Sequence, residues 1–87
     1  MNNQFEKNLQ YVDLLNEWDP FQLKDGSYDI EIADVIQAVY ELDDPTRLAK
    51  RIQSIYEFSF GKMLPIEKCL KTANDLLVIK ENSSCSL

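Results

Sequence analysis

Four carboxylates, Asp19, Asp25, Asp29 and Glu31, surround Gly26 in one short stretch of this chain. Oxygen ligands spaced around a glycine that turns the backbone sharply are what a calcium-binding loop needs. The register fails. With Gly26 at the sixth position of an EF-hand loop, Phe21 would stand first and Ile32 twelfth, and neither side chain offers an oxygen. The stretch is read as a solvated, helix-capping loop, and no metal is expected. Catalysis finds as little to use. The 87 residues contain no histidine, so a nucleophile activated by imidazole is excluded. Asp34, Glu41, Asp43 and Asp44 could act as acid or base only if one were buried. Their positions on polar helix faces or at helix ends point to capping and solvation. Cys69 lies on an apolar helical stripe with no evident basic partner, which makes it a core thiol. No catalytic residue and no cofactor are expected, and the protein is not read as an enzyme.

The charges are divided unevenly. Residues 1–44 carry 11 acidic and 2 basic side chains, a net of −9, whereas residues 45–87 carry 4 and 7, a net of +3. The two halves should attract each other or other charged surfaces. The overall charge of −6 argues against general affinity for nucleic acid and permits a basic protein partner. Arg47, Lys50 and Arg51 form a short basic patch. Its sharper reading is a phosphate or nucleic-acid site; the expected one is pairing with Asp43 or with acidic residues of the second helix.

Four helices must position these groups. The first is predicted over residues 3–17. Phe5, Leu9, Val12 and Asn16 line one stripe with Leu15 beside it, and Tyr11, Leu14 and Trp18 line a second. A surface helix normally needs one. Helix 1 is therefore either sandwiched between neighbours or keeps an apolar face for a partner. Pro20 disfavours helical geometry at Asp19 and stops it. A turn-forming cluster follows at Lys24-Asp25-Gly26-Ser27. The second helix is predicted over 28–43, capped by Ser27 or Asp29, with Glu31 favouring its first turn. Ile32, Val35, Ile36, Val39 and Leu42 give it helical periodicity. Asp44 suits an N-cap and Pro45 a first helical position, opening a third helix over 45–60 that Gly61 ends. Leu48, Ile52, Ile55 and Tyr56 face inward there, and Phe58 falls on the basic side. A fourth helix over 65–80 opens at Pro65, with Ile66, Cys69, Leu70, Ala73, Leu76 and Leu77 as its stripe. Residues 81–87 are expected to be a flexible polar tail after a single domain over 1–80. Short connections favour antiparallel neighbours. The fold class is all-α, a small four-helix up-and-down bundle.

The blocks Trp18-Asp19-Pro20-Phe21, Asp34-Val35-Ile36-Gln37-Ala38-Val39 and Asp43-Asp44-Pro45 resemble a family of small bacterial proteins typified by YugE. The resemblance continues through Leu48-Ala49, Ile52-Gln53 and Glu57-Phe58-Ser59-Phe60 to Pro65 and Cys69, covering roughly residues 9–79. It implies an all-helical fold in Gram-positive bacteria of the Bacillus type, and a family of unknown function. It brings no catalytic residues.

Trp18 and Phe21 have two readings: an aromatic anchor for a partner, or rings that plug the end of the bundle and fix the loop. The structural reading is preferred for the pair. The function expected of the chain is a non-enzymatic protein-interaction module. Tyr11, Leu14, Trp18, Phe21 and Phe58 would supply apolar contact, and Asp34 and Glu41 would steer a basic partner. Self-association as a homodimer is one form of this idea. The alternatives are an acidic immunity-type inhibitor of a basic enzyme and a small-ligand binder. The polar N-terminus lacks the apolar run of a signal peptide, and no stretch approaches a membrane span. The two cysteines are read as reduced thiols. A cytoplasmic location with no membrane or nucleic-acid partner is expected.

Overall fold

The computed structural model describes residues 3–23 and 28–85, without the side chains of 3–5 and 82–85. Four helices account for most of these residues: α1 (Asn3–Trp18), α2 (Asp29–Glu41), α3 (Pro45–Phe60) and α4 (Ile66–Cys85). No strand occurs among the described residues. Among the described residues no helix is long and apolar enough to cross a membrane.

The helices pack in chain order and close on themselves. The α3–α4 pair is the most extensive, α1 lies mainly on α4, α2 lies on α3, and α1 meets α2 more lightly. The short links over 42–44 and 61–65 favour this arrangement, because they leave α2, α3 and α4 little choice but to fold back on one another. Each contributes one apolar stripe to a single core: Tyr11 and Leu15 from α1, Ile32, Val35 and Val39 from α2, Leu48, Ile52 and Tyr56 from α3, and Cys69, Ala73 and Leu76 from α4. The predicted stripes of α2, α3 and α4 supply these residues, with Ile36, Leu42, Ile55, Leu70 and Leu77 partly buried at the edge of the core and Ile66, at the start of α4, exposed.

Helix 1 is the exception. Of its two stripes the structure buries Tyr11 fully and packs Leu14 and Trp18 partly, while Leu9 stands half exposed. Leu15 joins the core and Val12 packs at its edge. The helix is sandwiched on the Tyr11 side. The side chain of Phe5 lies outside the described residues.

The helix ends follow local chemistry where local chemistry exists. The Asp44 carboxylate accepts from the Arg47 N–H at 2.9 Å, Pro45 sits in the first turn, and Gly61 ends α3 at a φ of 72°, where a side chain would be strained. The start of α2 differs from expectation. The capping position is Tyr28, with no side-chain cap, and Asp29 is already helical. The Tyr28 ring is engaged elsewhere and only its carbonyl serves the helix, accepting from the Ile32 N–H at 2.7 Å. Ser27, and the turn cluster at 24–27, lie outside the described residues. Helix 2 ends at Glu41, two residues earlier than predicted, because Leu42 turns extended. Pro65 precedes α4, and its carbonyl accepts from Lys68 and Cys69. Helix 4 runs to Cys85 instead of stopping at residue 80. Nothing from Glu81 to Cys85 is glycine or proline, and asparagine and serine cost only a few tenths of a kcal/mol each in a helix.

Candidate functional site

The site begins where α1 stops. Trp18 is the last helical residue, and Asp19 and Gln22 both take left-handed backbone conformations, with φ of 35° and 55°. Aspartate tolerates that region better than most residues, because its short polar side chain bonds locally. Here Asp19 Oδ1 accepts from the Leu23 N–H at 3.0 Å and from the Tyr28 hydroxyl at 2.5 Å. The Asp19 carbonyl accepts from the Gln22 N–H at 3.1 Å. Tyr28 Oη in turn accepts from the Phe21 N–H at 3.2 Å. One carboxylate and one phenol thus tie residues 19–23, after α1, to Tyr28, just before α2.

The inner side of the turn is aromatic. Tyr56 of α3 lies at the centre, with Trp18 edge-on at 5.4 Å, Tyr28 at 5.6 Å, Phe60 stacked at 6.2 Å and Phe21 at 6.3 Å. Phe21 also meets Phe60 at 4.7 Å. Such offset and edge-on arrangements add to the gain from burial itself. The Tyr56 hydroxyl is buried without a hydrogen-bond partner. Burial, then the nearby Tyr28, Glu31 and Cys69, push its ionisation well above the ordinary tyrosine range. Burial likewise pushes the Cys69 thiol up to about 11. That thiol is sealed in the core and protonated at neutral pH, which makes it a poor nucleophile.

The outer side of the turn is open. Leu14, Trp18 and Pro20 form the apolar wall of a groove of about 510 Å³ between the end of α1 and α4. Glu17, Lys68, Lys71 and Asp75 rim it, and the nearly buried Thr72 lies in its floor. Lys71 and Asp75 pair along α4 at 3.6 Å. Helical spacing explains the rim: 68, 71, 72 and 75 repeat on one face of α4, and 14, 17 and 18 on one face of α1.

The structure divides the residues expected to bind a partner. Leu14 and Trp18 line the groove. Tyr11 does not reach the surface. It is 0% exposed, edge-on to Tyr40 at 6.2 Å, with its hydroxyl buried and unpartnered. Its expected role as an exposed anchor is thereby corrected, because α1 turns Tyr11 into the core while Leu14 and Trp18 of the same stripe stay at its edge. Phe21 faces Tyr56 and Phe60 rather than the groove, as the structural reading of that ring requires. Asp34, Glu41 and Phe58 are exposed but do not line the groove. Phe58 is 92% exposed on α3. Glu41 is engaged by Arg51 at 3.6 Å, the expected pairing of the basic patch with α2. Sequence reasoning missed the α4 side of the groove, the Asp19–Tyr28 bond and the burial of Glu31. The only signal for the α4 rim was its polar spacing, which any solvated helix face shares.

Comparisons with known proteins agree with this architecture. Residues 10–86 match the family described as a domain of unknown function, DUF1871. The protein of Bacillus subtilis strain 168 titled uncharacterized protein YugE is 46% identical over 77 residues, which is 88% of this chain and 90% of that one. A crystal structure of a protein from Bacillus stearothermophilus superposes with a TM-score of 0.86 at 46% identity, covering 90% of this chain and 96% of the other. Both relatives come from Bacillus, as the sequence blocks imply. The chain belongs to the DUF1871 family of bacterial domains of unknown function.

Proposed function

We propose that the protein is a non-enzymatic binding module whose docking surface is the groove between the end of α1 and α4. The observation that supports it most is the division of labour at Trp18. One side of the ring completes the aromatic cluster, and the residue also forms the wall of an open groove with Leu14 and Pro20. Large aromatic residues in partly formed pockets are the usual anchors of protein interfaces. Rim charges of both signs would fix the orientation of a partner segment more than its affinity. The buried, protonated Cys69 and the lack of histidine leave no ready nucleophile–base pair, which favours binding over catalysis. A cytoplasmic setting belongs to this reading, since a free thiol such as Cys69 is at home there.

Photo-crosslinking in the host bacterium tests the reading. A benzophenone side chain is placed at Glu17 or Lys71 on the rim, and at Glu57 on exposed α3 as the control. A discrete protein adduct from the rim positions, absent from the control, is expected. An adduct of twice the chain mass would identify self-association. No adduct, or the same adducts from all three positions, would overturn the reading.

A further inference from the structure

We propose that a second groove, on the outer face of α3, binds a small anion carrying a phosphate monoester. Arg47, Lys50, Arg51 and Ser54 recur at helical spacing and share one face of α3, where they line a cavity of about 370 Å³ walled by Leu42. This site is separate from the α1–α4 groove and does not depend on the function proposed for it.

The distribution of charge around the groove carries the argument. Three carboxylates stand near the α2–α3 junction, and each is engaged. Asp43 pairs with Lys80 at 2.7 Å. Asp44 is used as the cap of α3, accepting from the Arg47 backbone N–H. Glu41 pairs with Arg51 at 3.6 Å and accepts from Gln37 at 3.4 Å. The carbonyls that end α2, on Val39 and Leu42, accept from Lys80. Among the described residues no carboxylate pairs with the Arg47 guanidinium or the Lys50 ammonium. The sequence pairing expected for the basic patch therefore reaches Arg51 only.

The pair with Glu41 accounts for Arg51, but no ion pair among the described residues accounts for Arg47 or Lys50. All three cations fall in the first half of α3, which has no acidic residue in its first turn and no basic residue in its last. The helix dipole disfavours Arg47, which lies in the first turn. An anion seated in the groove would be attracted by the Arg47 and Lys50 side chains. The donors suit phosphate. Arginine offers a planar fork that matches two phosphate oxygens, lysine a compact charge, and Ser54 a hydroxyl. Leu42 gives an apolar body something to rest against. A nucleic-acid strand would need a longer cationic track with aromatic platforms. No aromatic residue lines this groove.

Titration of the isotope-labelled full chain by NMR tests the proposal, with phenyl phosphate, inorganic phosphate, a phosphoserine peptide and sodium chloride as separate probes. Phenyl phosphate is expected to shift the amides of Leu42 and of residues 47–54 saturably, with a dissociation constant of about 1 mM or tighter. Inorganic phosphate should bind the same amides more weakly. The Arg47→Gln, Lys50→Gln double variant should lose at least about tenfold in affinity, a change of about 1.4 kcal/mol. A Lys68→Gln, Lys71→Gln control should bind as the parent does. Tighter binding of the phosphoserine peptide would assign the phosphate to a protein; tighter binding of phenyl phosphate would assign it to a free small molecule. Shifts that sodium chloride reproduces, or equal affinity in a folded double variant, would overturn the proposal.

Discussion

The links on either side of α2 are held in opposite ways. The link from α1 to α2 is held by distant partners: the Asp19 carboxylate reaches Tyr28, and four rings surround Tyr56. The link from α2 to α3 is short and polar. Asp44 caps the next helix, Pro45 starts it, and Lys80 reaches across from α4 to hold Asp43 and the end of α2. The first link is stabilised by packing and by a partly buried charge-assisted bond, which salt hardly touches. The second is stabilised by surface charges and one cap. The lesson is about use as well as stability. The aromatic link spends its rings inward yet leaves Trp18 on an open groove, while the polar link consumes its carboxylates and leaves cations of α3 unmatched.

The largest effect that would break this contrast is at Tyr56. Tyr56→Ala should lose about 3–5 kcal/mol in denaturant unfolding, because the ring is fully buried among four others. Tyr56→Phe should be close to neutral or stabilising, since the hydroxyl it removes has no partner. A large loss in the Phe variant would mean that the hydroxyl holds a bond the packing does not reveal.

Next in size come the two ties themselves. Tyr28→Phe removes the bonds to Asp19 and from Phe21 and should cost about 1–3 kcal/mol at any salt concentration. Lys80→Met should cost about 1–2 kcal/mol in dilute buffer and less in molar salt, because its Asp43 partner is almost fully exposed. Equal salt dependence of the two would erase the distinction drawn between the links.

Alkaline pH sharpens the same comparison. Burial raises the ionisation of Cys69, Tyr11, Tyr28 and Tyr56 in the folded chain. The folded state therefore holds these protons more tightly than the unfolded state does. For Cys69 the stability this supplies is complete below the ordinary thiol value of 9.0 and is lost as pH rises through about 11. Urea midpoints should fall across that window; midpoints that stay level would show that the thiol is not protected. The smallest expected loss is that of Asp44→Ala, at about 1 kcal/mol by thermal unfolding.

What the sequence made legible follows the same division. The α2–α3 link could be read because its signals are local: an aspartate, a proline and, at the far end of α3, a glycine. The buried stripes of α2, α3 and α4 could be read because each helix has one apolar face. Helix 1 has two, and the core takes Tyr11 from one and Leu15 from beside the other, a split that periodicity does not show, so Tyr11 looked as available as Trp18. Which residues turn inward is decided by how α1 lies on α4. The Asp19–Tyr28 bond and the reach of Lys80 across 37 residues to Asp43 have no spacing signature at all. The groove was half legible, through Leu14 and Trp18, and its α4 side was hidden among ordinary surface residues.

The central claim is that the inner side of the Trp18–Tyr28 turn holds the fold and its outer side binds. Thermal unfolding and rim-crosslinked adduct yield, measured together in two variants, test it most directly. With the benzophenone at Glu17, reversing two other rim charges (Lys68→Glu with Asp75→Lys) should leave the melting temperature nearly unchanged and abolish the adduct. Tyr28→Phe should lower the melting temperature and keep the adduct while folded. Retention of the adduct after the rim reversal, or its loss in a folded Tyr28→Phe protein, would contradict the account.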